Sequence, residues 1–306
     1  MITVLVATEK PFAGIAVNGM RDVLNRAGFE LKLLENYAGR EQFIEAVKDA
    51  DALIVRSDIV DEKVFSAARN LKIVVRAGAG YDNIDLDAAS SKGIVVMNTP
   101  GQNANAVAEL SIGLLIYLNR NLFNGTSGME LSRKTIGIHG CGNVGRLVGV
   151  KAKGIGMDVY TYDPYVDEAM VETYGIKAVG KVQELYGKCQ YISINLPANK
   201  NTRELITFDL LSLMPEGATL LNTARKEIIH EPSLQKMFSE RKDFRYATDV
   251  APDCDTQLQS QYPGRYVATQ KKMGAQTEEA NINAGMAAAR QIVNFLLHGN
   301  RQFRVN

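Results

Sequence analysis

Thr135-Ile136-Gly137-Ile138-His139-Gly140-Cys141-Gly142-Asn143-Val144-Gly145 carries a short β-rich run directly into a GxGxxG turn. Such a glycine pattern is informative only in context. Here a strand precedes it, a helical run follows from Asn143 and Val144, and the next strand ends on Asp163. That acid lies at roughly the 20-residue separation that a dinucleotide-binding fingerprint requires. Gly140 permits the tight turn, Gly142 lets the backbone approach a pyrophosphate, and Gly145 lets helix and strand pack closely. The helix start offers free N–H groups and a positive dipole end to the phosphates. Asp163 suits the adenine-ribose hydroxyls and repels a 2′-phosphate, so NAD is favoured over NADP. Cys141 occupies a place open to any small residue and is not read as a redox centre.

Outward from this segment, strands and helices alternate. Residues 2–7, 29–35, 52–56, 71–76 and 94–98 read as strands, with helices at 13–27, 42–48, 60–69 and 86–91 between them. An apolar helix at 107–118 follows Pro100-Gly101, and the second series has strands at 135–139, 158–163, 191–196, 219–223, 246–250 and 266–269. A last helix covers 278–297. This alternation implies βαβ units and parallel sheets covered on both faces. The expected fold class is α/β, with two Rossmann-like or flavodoxin-like parallel-sheet domains and a cleft between them.

Composition narrows the function classes. At roughly 100–200 residues per domain, 306 residues suit two domains. Thirty-five Lys and Arg balance 34 Asp and Glu, so no basic face marks a nucleic-acid partner. No run approaches the ~18 apolar residues of a membrane span, so no membrane partner is expected. Met1-Ile2-Thr3-Val4-Leu5-Val6 has no basic leader and reads as a strand. Cys141, Cys189 and Cys254 are widely spaced without a CxxC. They indicate neither a disulfide framework nor a metal site and fit a reduced cytoplasm.

Further motifs occur in a definite order. They are residues 71–85 (LKIVVRAGAGYDNID), 97–103 (MNTPGQN) running on to Val107-Ala108-Glu109, the glycine turn, and Asn195-Leu196-Pro197 with Thr202. Leu221-Asn222-Thr223-Ala224-Arg225, Thr248-Asp249-Val250 and Gly274-Ala275-Gln276-Thr277 complete the series. Over nearly the whole chain this resembles the NAD-dependent D-2-hydroxyacid dehydrogenases. The resemblance implies a substrate domain of residues 1–100 plus 283–306, an NAD domain of 101–282, and a homodimer with the 107–118 helix as its natural contact face. It implies Pro197, Thr202, Thr223, Ala224, Arg225, Asp249 and Gly274 as further NAD-site residues. The expected reaction is oxidation of 3-phospho-D-glycerate to 3-phosphooxypyruvate, the opening step of a phosphorylated route to L-serine. Because the chain ends soon after its last helix, no added C-terminal regulatory domain is expected.

Three departures from that pattern matter. Residues 119–133 form a shorter linker than usual; Lys226 and His230 stand where the family has Gly and Asp; and the catalytic Glu and His are displaced. The Glu position falls on Cys254, flanked by Asp253 and Asp255, and the His position holds Lys272. Arg225 suits a carboxylate clamp, because its planar fork binds bidentately. Lys272 is the expected base: a dry pocket and the nearby Arg225 would lower its pKa, and the Glu that would raise it is missing; Asp253 is the candidate third catalytic group. Arg56 with Ser57, and Arg76, stand at strand ends and suit a second anion, the phosphate. Gly78, Ala79, Gly80 and Asn98 would line the same substrate site. Two alternatives stay open: reduction of glyoxylate, hydroxypyruvate or another small 2-oxo acid, and a non-catalytic NAD(H)-sensing regulator on the same fold.

Overall fold

Strands that are apolar at every position must be covered on both faces, and runs 52–55 and 73–75 are of this kind. In the computed structural model, which describes residues 1–306, they lie inside a five-stranded sheet. Its elements are β1 (Thr3–Thr8), α1 (Gly14–Arg26), β2 (Glu30–Glu35), α2 (Arg40–Val47), β3 (Ala52–Val55), α3 (Glu62–Ala67), β4 (Ile73–Arg76), α4 (Leu86–Ser91) and β5 (Val95–Asn98). All strands are parallel in the order β2-β1-β3-β4-β5. That is a flavodoxin-like order, whose ligand-binding switch point lies where neighbouring strands lead off in opposite directions, here at β1 and β3.

A second sheet is built from α5 (Ala104–Asn119), β6 (Thr135–His139), α6 (Asn143–Gly154), β7 (Asp158–Tyr162), α7 (Glu168–Glu172), β8 (Lys177–Ala178), α8 (Val182–Lys188) and β9 (Tyr191–Ile194). It continues through α9 (Phe208–Leu211), β10 (Thr219–Asn222), α10 (Glu231–Glu240), β11 (Arg245–Thr248), α11 (Asp255–Gln261) and β12 (Tyr266–Ala268). The order β12-β11-β10-β9-β6-β7-β8 is a doubly wound sheet with its switch point between β6 and β9. The expected α/β class with two parallel sheets is what the chain adopts. No helix is long and apolar enough to cross a membrane.

The last helix, α12 (Glu278–His298), starts at Thr277, whose side chain accepts the Ala280 N–H, and stops at Gly299 in the left-handed region. Its Ala284, Ala288 and Ile292 pack into the first sheet's core with Met20 and Leu24 of α1. The two units are therefore Met1–Asn103 with Ala275–Asn306, and Ala104–Gly274. The chain returns to the first unit at 274/275. The expected 282/283 boundary would have divided the hydrogen-bonded first turns of α12.

Helix α3 is shorter than the expected 60–69, because Asp61 caps it through the Lys63 and Val64 N–H groups and Val60 bridges to Ile84. More consequential is α5. The residues expected to form a dimer face, including Val107, Ile112, Leu115 and Leu118, are buried within the second unit, which leaves Glu109, Gly113 and Ile116 exposed. Asn119, the last residue of α5, is buried, donating to the Leu115 carbonyl and accepting from the Tyr191 hydroxyl.

His139 closes β6 beneath the glycine turn, 3% exposed, with Nδ1 3.2 Å from the Tyr186 hydroxyl. Burial pushes its pKa down to about 4, and the Asp163 charge opposes this. The unfolded chain thus takes up a proton below about pH 6.5, whereas the folded chain does not until about pH 4. The contribution is fully present above pH 6.5 and is lost as pH falls towards 4, about 3 kcal/mol in all. Melting temperature against pH should fall more steeply in this window for the wild type than for His139→Phe; parallel curves would refute the assignment.

Candidate active site

At the β6–β9 switch point two of the three glycines are sterically compelled. Gly140 has φ 91°, and a Cβ there would lie 2.9 Å from the Asn195 carbonyl oxygen. A Cβ at Gly145 would collide with the Gly140 carbonyl and sit 2.9 Å from Ile138 Cγ2. At Gly142 a Cβ would meet nothing within 4 Å, and no side chain caps α6 there. Asp163 is half-buried and accepts the Cys141 N–H at 2.7 Å and the Tyr165 N–H at 3.0 Å. The acid therefore fixes the turn. Thr202 shapes the neighbouring loop, donating to the Pro197 carbonyl at 2.5 Å and accepting the Asn199 N–H at 2.9 Å. The buried Thr223 hydroxyl lies 2.9 Å from that of Ser111.

The strand ends of β10 and β11 gather the charged groups. Asn222 closes the turn that presents Arg225: its Nδ2 donates to the Arg225 carbonyl and its Oδ1 accepts the Ala224 N–H, both at 2.9 Å. The Arg225 Nη1 donates to the Ala224 carbonyl at 2.9 Å. Asp249 is 1% exposed; its Oδ2 accepts N–H bonds from Gly274 at 2.7 Å and Met273 at 3.2 Å. Its Oδ1 is buried with no hydrogen-bond partner. Burial raises the carboxyl's pKa, while those two N–H groups and the charges of Lys272 and Arg225 pull it down. Lys272 itself is exposed in this structure.

Two expectations change here. Lys272, expected in a dry pocket without a carboxylate neighbour, is exposed, because its loop stands in solvent, and the Asp249 charge acts on it. Asp253, expected as a catalytic group, has a side chain 79% exposed and ion-paired to Lys226. Lys226, which departs from the family pattern, thus pairs with the neighbour of Cys254, which also departs from it. The buried carboxylate near Arg225 and Lys272 is Asp249. Glu231 went unnoticed in the sequence; its two carboxylate oxygens accept the Asp253 and Cys254 N–H groups at 2.9 and 2.7 Å and hold that loop. Cys141, Cys189 and Cys254 are buried free thiols.

The expected substrate residues all lie in the first unit. The Arg76 guanidinium lies where a Gly78 Cβ would be, and Gly78 has φ 150°. Asn98 Nδ2 donates to the Ala79 carbonyl at 2.6 Å, and the Thr99 N–H donates to that of Gly78 at 2.9 Å, so the end of β5 holds the Gly78–Gly80 loop. Ser57 is exposed and Gly80 partly so. The Arg56 Nη1 donates to the Lys10 and Pro11 carbonyls at 3.0 and 3.1 Å, and its Nη2 to Asn281 Oδ1 at 2.5 Å. Arg56 thus has a structural role alongside the expected one. Asn281 carries no motif that would have disclosed it.

A model of the D-isomer specific 2-hydroxyacid dehydrogenase catalytic domain matches residues 16–306. The chain belongs to this family. It is 48% identical to the NAD+-bound 3-phosphoglycerate dehydrogenase structure of Entamoeba histolytica, with a TM-score of 0.90 over 100% of this chain and 98% of that one. D-3-phosphoglycerate dehydrogenase of Methanocaldococcus jannaschii is 35% identical over 267 residues, 83% of this chain and 51% of the relative. The human D-3-phosphoglycerate dehydrogenase is 30% identical over 290 residues, 90% and 54%. The chain spans about half the length of the curated relatives it matches. Fold likeness extends to D-lactate dehydrogenase of Escherichia coli, at TM-score 0.82, 22% identity and full coverage of both chains.

Proposed function

We propose that this 2-hydroxyacid dehydrogenase oxidises 3-phospho-D-glycerate to 3-phosphooxypyruvate with NAD. The observation that carries the proposal is the grouping of Arg225, Lys272 and the buried Asp249 in the unit that also holds the glycine turn. The residues present fit the dinucleotide. The space at Gly142 and the uncapped N-terminus of α6 suit a pyrophosphate, and Asp163 suits a ribose. The Asp249 Oδ1, a buried acceptor with no donor, suits the amide of a nicotinamide carboxamide. When bound, the nicotinamide ring supplies the acceptor for the hydride leaving C2 of the substrate.

The chain's own groups do the rest. Arg225 holds the substrate carboxylate and draws electron density from the forming carbonyl. Lys272 Nζ, in its neutral form, takes the hydroxyl proton. The C2 hydride and the hydroxyl proton then balance the two-electron oxidation, and a C=O bond forms. A lysine with a reference pKa of about 10.4 keeps oxidation accelerating into alkaline pH, whereas a histidine would level off near about 6.5. Arg56 and Arg76 are the proposed phosphate contacts, with Ser57, Asn98 and the Gly78–Gly80 backbone beside them. Incubation with NAD and 3-phospho-D-glycerate should yield 3-phosphooxypyruvate by mass spectrometry. NADH-driven reduction of glyoxylate or hydroxypyruvate, with no product from 3-phospho-D-glycerate, would refute the substrate assignment.

Asp163 sets the cofactor. Asp163→Ala should raise the KM for NAD about tenfold, because a charge-assisted ribose contact and the Cys141 N–H anchor are lost together. The NAD preference should relax mainly by that weakening, and equal wild-type use of NAD and NADP would contradict the assignment. A homodimer in a reducing, cytoplasmic setting completes the proposal, although most of α5 serves the second unit's own core. Sedimentation at micromolar concentration should give twice the chain mass; a monomer would remove the dimer.

A further inference from the structure

At the switch point of the first sheet, three strand ends meet on one buried side chain. Asp58, 7% exposed, follows β3. Its Oδ1 accepts the Glu9 N–H from beyond β1 and the Tyr37 hydroxyl from beyond β2, each at 2.7 Å. Its Oδ2 accepts the Arg56 N–H at 3.3 Å. The β1 loop fixed through Glu9 is the one whose Lys10 and Pro11 carbonyls receive the Arg56 Nη1, and its Phe12 ring lies 5.2 Å from the guanidinium carbon. Asp58 thus fixes the Arg56 backbone directly and, through Glu9, the loop whose carbonyls receive the Arg56 Nη1.

The turn also reaches the second arginine. The Arg56 carbonyl accepts Arg76 Nε at 3.0 Å, and Asn83 Nδ2 donates to the Asp58 carbonyl at 2.7 Å. A buried carboxylate beside a proposed anion site is electrostatically adverse unless its charge is compensated. Here three donors take up much of it. Burial lowers the pKa of the Arg56 guanidinium, and the Asp58 charge opposes that shift.

We infer that Asp58, with Tyr37, is a positioning pair that orients Arg56 and Arg76 for the phosphate of the substrate and so sets the preference for phosphorylated over plain 2-hydroxy acids. The inference rests on the reading of Arg56 as a phosphate contact. It assigns to Asp58 and Tyr37 no contact with the substrate itself.

The test is steady-state kinetics of the whole enzyme with 3-phospho-D-glycerate and with D-glycerate, alongside melting temperatures. Asp58→Asn should raise the KM for 3-phospho-D-glycerate about tenfold, because one of its acceptor atoms becomes a donor facing the Arg56 N–H. Its kcat, its KM for NAD and its KM for D-glycerate should stay within about twofold of wild type, since Arg225, Lys272 and the glycine turn lie in the other unit. Tyr37→Phe removes a single hydrogen bond, keeps the ring against Phe43, and should shift the same KM by about threefold. Lowered melting temperatures with unchanged KM ratios would leave Asp58 a purely structural residue and overturn the inference. Arg56→Met raising both KM values equally would instead refute the phosphate reading of Arg56, and this inference with it.

Discussion

Lys272→Met should lower the rate of NAD reduction by about 10²–10⁴-fold, the range expected when a general base is removed, and should leave NADH affinity within about twofold. The methionine keeps the unbranched stem as far as Cε and removes the amine. NADH affinity should be spared because the proposed dinucleotide contacts, the glycine turn and Asp163, do not involve residue 272. Lys271→Met is the control. Lys271 is also exposed, and its carbonyl accepts the Thr269 hydroxyl at 2.8 Å, so removing its amine should leave turnover near wild type. An essential Lys271 with a dispensable Lys272 would move the base by one residue. Wild-type rates in both single variants would place the base elsewhere.

Gly145→Ala and Gly142→Ala should separate what the glycine turn does for the fold from what it does for the cofactor. At Gly145 the new methyl would be driven against the Gly140 carbonyl, a backbone atom that cannot rotate aside, and against Ile138 at 2.9 Å. Helix α6 would have to move off β6, at a cost of about 1–3 kcal/mol in stability. NADH affinity should fall by about 100-fold, because the helix N–H groups move with it. At Gly142 the same methyl meets nothing within 4 Å. Gly142→Ala should melt within about 2 °C of wild type, as expected where no contact changes. Its NADH affinity should still fall by about tenfold or more, because the methyl occupies the approach to the pyrophosphate. Fluorescence titration with NADH and thermal melting read both quantities. Unchanged NADH affinity in Gly142→Ala would remove the pyrophosphate from this turn.

The fold was legible because its strands announce themselves. Runs such as 52–55 and 73–75 are apolar at every position, as strands covered on both faces must be, and helical segments separate them. Strand β8 escaped notice because two residues, Lys177 and Ala178, carry no periodicity. The burial of α5 was misjudged because an apolar helix reads the same whether it faces its own core or a partner.

The candidate site was legible where spacing is local, as in the glycine turn and Asn222–Arg225. It was not legible where the fold supplies the partner. Arg56 meets Asn281 from 225 positions away, and Glu231 holds the loop of Asp253 from 22 positions away. Asp253 was placed by counting along the chain. Counting gives a position in a loop and not the direction of its side chain, which the ion pair with Lys226 determines.

The most direct measurement is kcat/KM for NAD reduction with 3-phospho-D-glycerate, D-glycerate and D-lactate side by side at alkaline pH. The proposed phosphate contacts, Arg56 and Arg76, should favour 3-phospho-D-glycerate by at least about 100-fold over either unphosphorylated acid, as expected when charge-assisted contacts are lost. Equal kcat/KM values for the phosphorylated and unphosphorylated acids, or no NADH formed from any of the three, would contradict the proposed function.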